Sequence, residues 1–181
     1  MNEYVPYIIG IIAVAAVAIA LMRVGWRHRQ GRQSDVVAPA AIPGELTAPL
    51  AEAGGQYVST TTAGDWLDRI SVHGLGMKSN ATLTVHAEGV LFTRSGAPDV
   101  FLPVADLESC RREAGMAGKF VEAGGLLVVG WRLGEHHLDT GFRPRRAQDM
   151  ATLVAATEAL IPGAGATGPA HDHTAPKKDN E

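Results

Sequence analysis

The sequence predicts a mainly β domain: a bent antiparallel sheet or partial barrel of about seven strands, closed by one C-terminal amphipathic helix. It is carried behind an N-terminal transmembrane helix. Three observations lead there. Residues Val5 to Met22 run for 18 positions without a charge. Residues 57–143 break into short, β-branched, often alternating segments punctuated by Gly, Asp and Pro. Residues Pro144 to Ile161 then place apolar side chains at helical spacing. Four segments follow: 1–32, an anchor with an arginine-rich cytoplasmic flank; 33–56, a flexible Pro/Ala linker; 57–161, the folded domain; and 162–181, a disordered tail.

Taken in order, Val5–Met22 would span roughly 27 Å as a helix, close to the hydrocarbon thickness of a bilayer. Nine of its residues are Val, Ile or Leu, which together favour insertion by about 3–5 kcal/mol. Pro6 falls in the first turn, where its missing N–H costs nothing. Tyr4, Tyr7 and Trp26 mark the two interfaces. A cleaved signal would carry positive charge before the apolar run. Here only Glu3 precedes it, whereas Arg23, Arg27, Arg29 and Arg32 follow. By the positive-inside rule the N-terminus faces out, and all that follows Trp26 is cytoplasmic. The expected location is thus the inner (plasma) membrane. The four arginines are also placed to meet anionic headgroups.

Gln33 to Gln56, with Pro39, Pro43, Pro49 and Gly54-Gly55, shows no lasting period and reads as a tether. The strands come next: Gln56–Thr62, then Ala81–His86, which turns at Glu88-Gly89 into Val90–Arg94, a hairpin signal. Val100–Val104 is expected at an edge because of Pro103. Gly125–Leu133 is a near-continuous apolar run suited to a central strand, and His136–Phe142 returns from a turn at Gly134-Glu135. Residues 63–78 and 106–121 are ambiguous, with strand favoured for Leu107–Glu113. In the closing helix, Met150, Leu153, Val154, Thr157, Leu160 and Ile161 form one apolar face. Pro144 is expected in its first turn.

Composition excludes several functions. A lone cysteine, Cys110, cannot form an internal disulfide or a cysteine-based zinc site. Net charge is -3, only 6% of residues are aromatic, and beyond Arg32 the chain holds 12 Lys/Arg against 18 Asp/Glu, so -6. No nucleic-acid partner is expected. His137 and Asp139 share a strand face without an evident third ligand, His73 and His86 stand alone, and His171-Asp172-His173 lies in the tail, so no metal site is assigned. Arg111 and Arg112 beside Cys110 would lower its pKa, but no base accompanies it. His73–Lys78 lacks phosphate-loop spacing. No catalytic residue and no cofactor are assigned, and no enzyme is expected.

Candidate partner contacts form two groups. Asp65, Trp66, Asp68 and Arg69 are the densest polar-aromatic cluster. Either Trp66 and Arg69 anchor an interface, or Trp66 fills the core while Arg69 pairs locally, and the weight falls on the second. Arg143, Arg145 and Arg146 would open the final helix, where cations oppose the dipole. That placement hints at an anionic peptide or lipid.

The stretches Tyr57–Ile70, His73-Gly74-Leu75-Gly76, Gly89–Pro103, Gly115–Lys119 and Leu126–Arg143, set behind a single span and a Pro/Ala linker, resemble actinobacterial single-pass membrane proteins with a pleckstrin-homology-like (PH-like) domain. The resemblance implies the architecture above and no catalytic residues. Some members carry export or transporter labels. Phosphoinositide recognition, the best-known use of the fold, needs several Lys/Arg after the first strand; here Asp65 and Asp68 stand beside the would-be phosphate pocket and argue against it. The expected function is a non-catalytic adaptor that holds a protein partner at the cytoplasmic membrane face. The alternative is an accessory subunit of an export or transport complex, assembled through the span.

Overall fold

The computed structural model describes residues 10–12, 14–22, 36–116, 119–120 and 124–162. Residues 10–12 and 14–22 are helical. Among the described residues no helix is long and apolar enough to cross a membrane. Part of Val5–Met22, the four flanking arginines Arg23, Arg27, Arg29 and Arg32, residues 33–35 and the tail from Gly163 lie outside them.

Among the described residues ten strands follow: β1 (Ala51–Thr62), β2 (Asp65–Arg69), β3 (Ser79–His86), β4 (Gly89–Arg94), β5 (Val100–Pro103), β6 (Leu107–Glu113), β7 (Gly115–Met116), β8 (Lys119–Phe120), β9 (Leu126–Leu133) and β10 (His136–Pro144), then a helix at Asp149–Glu158. The main sheet is antiparallel, ordered β5-β4-β3-β1-β10-β9-β6, with β2 paired to β1 off that path. The sheet is not closed, and β7–β8 form a small hairpin apart from it. The strand count exceeds the expected seven because β2, β7 and β8 are short pieces with little propensity signal.

β1 organises the domain. Its first half pairs with β3, from Ala51↔Val85 to Tyr57↔Ser79, and its second half pairs with β10, from Gly55↔Pro144 to Thr62↔Leu138. It therefore joins two half-sheets, overlapping at residues 55–57. Gly55 permits the join: a methyl group there would collide with the Arg143 carbonyl and the Phe142 ring.

Among the described residues a main core fills the inside, beside a smaller cluster of Val58, Met116, Leu126 and Val128. Tyr57, Leu83, Phe92, Leu127, Trp131, Leu138, Phe142 and Leu153 are all at most 1% exposed. Met150, Leu153 and Thr157 are the buried positions of the helix, the face that the 3.6-residue period marks. Through the core runs a hydrogen-bond chain: Trp131 Nε1 with Thr140 Oγ1 (2.9 Å), Thr140 with Thr60 (2.8 Å), Thr60 with Tyr57, and Tyr57 with the Leu75 carbonyl (3.1 Å). An indole N–H only donates and a carbonyl only accepts, so every hydroxyl in the chain donates in one direction, toward Leu75. Burial raises the Tyr57 pKa above its ordinary value, against the hydrogen bonds and the nearby Arg94 charge, and this keeps the phenol protonated as donor.

Three expectations are corrected. First, residues 36–50 are no free tether but a strap docked on the domain, and Ala51–Gln56 are strand. Val36 is 5% exposed, inside the core, and His73 Nε2 donates to its carbonyl (2.8 Å). Ala40 bridges Phe101 on edge strand β5. Thr47 donates through N and Oγ1 to the Glu88 carboxylate, its carbonyl accepts from His86 Nδ1 (2.7 Å), and Leu50 N donates to the Val85 carbonyl. Prolines suit such a strap because an edge-covering segment makes few ladder bonds. Second, Pro144 is the last residue of β10, not the first turn of a helix; a strand end tolerates its missing N–H as well as a helix start does. Third, Arg143 therefore lies on β10, and Arg145 and Arg146 lie in the turn before the helix.

Candidate functional site

Across the join in β1, register places Asn80, Gln56 and Arg143 directly opposite one another on β3, β1 and β10. Opposed residues of antiparallel neighbours project from one face, so the three side chains form a row. Arg145 follows in the turn, tied by its N–H to the Gly54 carbonyl (2.9 Å). Arg112 enters from the far edge strand β6, its stem passing beside Gly124. Together with the start of the helix at Ala147 and Met150 they line a groove of about 530 Å³, with no carboxylate among its described lining residues. The size suits a small ligand or a few peptide residues.

The structure separates the residues expected to act together. Arg146 is not a lining residue; its Nε pairs with Asp149 Oδ2 at 3.0 Å. β2 lies beyond the opposite end of β1. Thr62 lies six positions along β1 from Gln56, roughly 20 Å at strand rise, so the two candidate groups form two surfaces. On β2 all five residues are exposed, Trp66 by 45% and Leu67 by 65%. Trp66 thus does not fill the core, as had been expected. The strand that β2 pairs with is the end of β1. Trp131 occupies the core instead. Asp65 and Asp68 are used locally: Asp65 Oδ1 accepts from the N–H groups of Leu67 and Asp68, and Asp68 Oδ2 accepts from Thr62 Oγ1 at 2.7 Å. The Arg69 stem packs near Gly76.

The other reactive side chains are engaged. Asp139, 5% exposed, is held by Arg111 through two bonds, Nη1–Oδ1 at 3.0 Å and Nη2–Oδ2 at 2.7 Å. Asp139 and the Glu113 carboxylate raise the Arg111 pKa against the opposing effect of burial. His137 Nδ1 donates to Glu108 Oε2 at 2.8 Å. Among the described residues no three of His, Cys, Asp and Glu converge on a metal-sized site.

Cys110 overturns its expected direction. Burial, helped by the Glu158 charge, pushes the thiol up to about 12, and Arg111 and Arg112 only partly oppose it. At pH 8 such a thiol is about one ten-thousandth thiolate, against about a quarter for a free cysteine. Its native reaction with Ellman's reagent is therefore expected to be at least roughly 100-fold slower than that of free cysteine, with the ordinary rate recovered in denaturant. The sign follows from linkage: the unfolded thiol loses its proton first, so Cys110 makes the fold less stable as pH rises above about 9. A native rate equal to the denatured one would show the thiol to be open.

A family model described as bacterial PH domain-like matches residues 36–158, 123 of the 181 residues. The match begins at Val36, the first residue of the docked strap. No curated protein matches the chain.

Proposed function

We propose, from the premise that this chain belongs to the bacterial PH domain-like family, that it is a non-catalytic adaptor tethered by a single span to the bacterial plasma membrane, holding a protein partner at the cytoplasmic face. PH-like domains are generally non-catalytic, and here Asp139, His137 and Cys110 are each engaged or kept protonated.

One observation carries the membrane half of the reading. Residues 10–12 and 14–22 are apolar on every side and every one is exposed, Ile11 by 69% and Val14 by 71%. A helix that is apolar all round needs an apolar covering, and the domain does not supply it. Val5–Met22 has the length that lipid requires, and Arg23, Arg27, Arg29 and Arg32 would keep the domain inside.

The test is fractionation of cells expressing the full chain. The protein is expected in the membrane pellet after carbonate washing, with the domain resistant to protease added to spheroplasts. Replacing Val5–Met22 with an unrelated apolar helix should preserve both properties and partner retention. Recovery in the soluble fraction, or digestion of the domain from outside, would refute the reading. Loss of function on swapping the span would favour a subunit assembled through that helix.

A further inference from the structure

We infer that Trp66 and Leu67, looped out of β2, seat in the interfacial layer of the membrane that holds the anchor, so that the domain rests on lipid by the Thr62 end of β1. The inference rests on the anchor reading and goes beyond it, by giving the domain itself a lipid contact and an orientation.

The register creates the contact. Successive residues of β1, Thr61 and Thr62, pair with Arg69 and Asp65, so Trp66, Leu67 and Asp68 bulge out of the ladder. The bulge is held by its own carboxylates. Asp65 Oδ1 accepts from the N–H groups of Leu67 and Asp68, and Asp68 Oδ2 accepts from Thr62 Oγ1. With those backbone donors already bonded, moving the bulge out of water costs less. What it presents is a half-exposed indole and an exposed leucine. Tryptophan, an apolar ring with one N–H, favours the boundary between headgroups and acyl chains.

Other exposed apolar side chains gather at the same end. Among the described residues of the domain the large ones are Val37, Ile42, Leu50, Trp66, Leu67 and Met77. Val37 lies beside Gly134, in the turn leading to β10, whose Leu138 pairs with Thr62. Met77 follows Gly76, which packs on the Arg69 stem. Ile42 and Leu50 sit toward the other end: Leu50 N donates to the Val85 carbonyl, and Ile42 follows Ala40, which bridges Phe101 in the row of Leu91, Thr84 and Glu52.

The position of the anchor selects a bilayer over a protein cleft. The chain enters the domain at Val36, held by His73, in the loop whose Leu75 carbonyl accepts from Thr60 N. This is again the Thr62 end. Fourteen peptide steps separate Met22 from Val36, a reach of at most roughly 50 Å. With the anchor inserted, the bilayer stays within that distance of the bulge whether or not a partner is bound. Asp65 and Asp68 alone would oppose an anionic surface. Arg23, Arg27, Arg29 and Arg32, which follow the span, would bring compensating charge to the same headgroup layer.

The test uses the protein's own tryptophans, Trp26, Trp66 and Trp131. The full chain carrying Trp26→Phe is reconstituted into phosphatidylethanolamine/phosphatidylglycerol vesicles, with and without bromine on the upper acyl chains. Bromine quenches indoles that touch it. The brominated vesicles are expected to remove roughly a third or more of the emission, as for an interfacial tryptophan. The loss should persist at about 0.5 M salt, where exposed charges are screened within about 5 Å. The Trp26→Phe/Trp66→Phe chain, which keeps only the core Trp131, should lose less than about a tenth, and its emission reports that the domain is folded. Leu67→Ser, at an exposed position, should at least halve the quenching of Trp66. An unquenched Trp66 in protein that floats with the vesicles would overturn the inference alone and assign the bulge to a protein partner. Quenching indifferent to Leu67→Ser, or abolished by salt, would also overturn it. Protein left at the bottom of the flotation gradient would fail the anchor reading and take the inference with it.

Discussion

Replacing Arg94 with alanine is expected to lower the stability of the domain by about 3–5 kcal/mol. The side chain is only 6% exposed, although it is charged. Its Nε donates to Ser79 Oγ (3.0 Å), Nη1 to the Pro98 carbonyl (3.2 Å), and Nη2 to the carbonyls of Gly74 (3.0 Å) and Met77. Its guanidinium lies over the Tyr57 ring, 3.9 Å from the centroid. One cation thereby ties the loop before β3 and the loop after β4 to the end of the core. Burial pulls its pKa below the ordinary value, with Tyr57 and Asp99 opposing, yet arginine remains charged throughout the accessible pH range. Alanine removes this donor from the carbonyls of Pro98 and Met77, while the Gly74 carbonyl keeps the Met77 N–H. Hydrogen bonds to charged groups are worth about 1.5–3 kcal/mol each, and partial loop opening recovers some of the loss. Arg94→Lys should recover less than half, since one ammonium cannot reproduce a fork that points three ways. Urea denaturation at unchanged m-value is the measurement. A midpoint shift worth less than about 1 kcal/mol would mean that both loops are held by other contacts.

Arg94 also shows where sequence reasoning runs out. The hairpin was legible, with the turn one residue earlier than expected: Ala87-Glu88 joins β3 to β4, and Gly89, already in β4, pairs with His86. The apolar run Gly125–Leu133 became β9, flanked on both sides, and the helical period of Met150, Leu153 and Thr157 marked the buried face correctly. These elements advertise themselves because their side chains determine what they bury. By contrast, β1 begins Ala-Glu-Ala-Gly-Gly, residues of weak strand propensity, and is a strand because both its neighbours pair with it. Trp66 misled because a tryptophan is usually covered, and on β2, paired to the end of β1, it stays 45% exposed. The site was half legible. Arg143 and Arg145 form a visible basic run, but Arg112 lies 31 residues before Arg143 and arrives through β6. Gln56 and Asn80 carry no charge and gave no signal; only the register of three strands aligns them.

The docked strap and the first half of β1 decide where the domain can be cut. A fragment of residues 57–162 is expected not to fold cooperatively, although it contains every segment that looks like a strand from sequence alone. Cutting at Tyr57 removes six of the seven rungs joining β1 to β3, leaving only Tyr57↔Ser79. β3, β4 and β5 then lose their main link to the rest of the sheet, and Leu83, Val85, Val90 and Leu102, all fully buried, lose cover. Burial of one such side chain is worth about 1.5–3 kcal/mol, against a total stability of about 5–15 kcal/mol, so exposing even part of this set exceeds what the fold can lose. A fragment of residues 36–162 should unfold in a single cooperative transition. A fragment of residues 51–162 keeps every rung but lacks the strap and should be intermediate, because Val36 no longer fills its place in the core and the Thr47–Glu88–His86 contacts are gone. Val36→Asp within 36–162 isolates the first of these losses: an unpaired carboxylate at that buried position should cost about 3 kcal/mol or more. Circular dichroism during urea titration compares all four. Equal midpoints for 57–162 and 36–162 would show that the strap and the first half of β1 are ornaments on a self-sufficient sheet, which the pairing of β1 with both of its neighbours makes physically unreasonable.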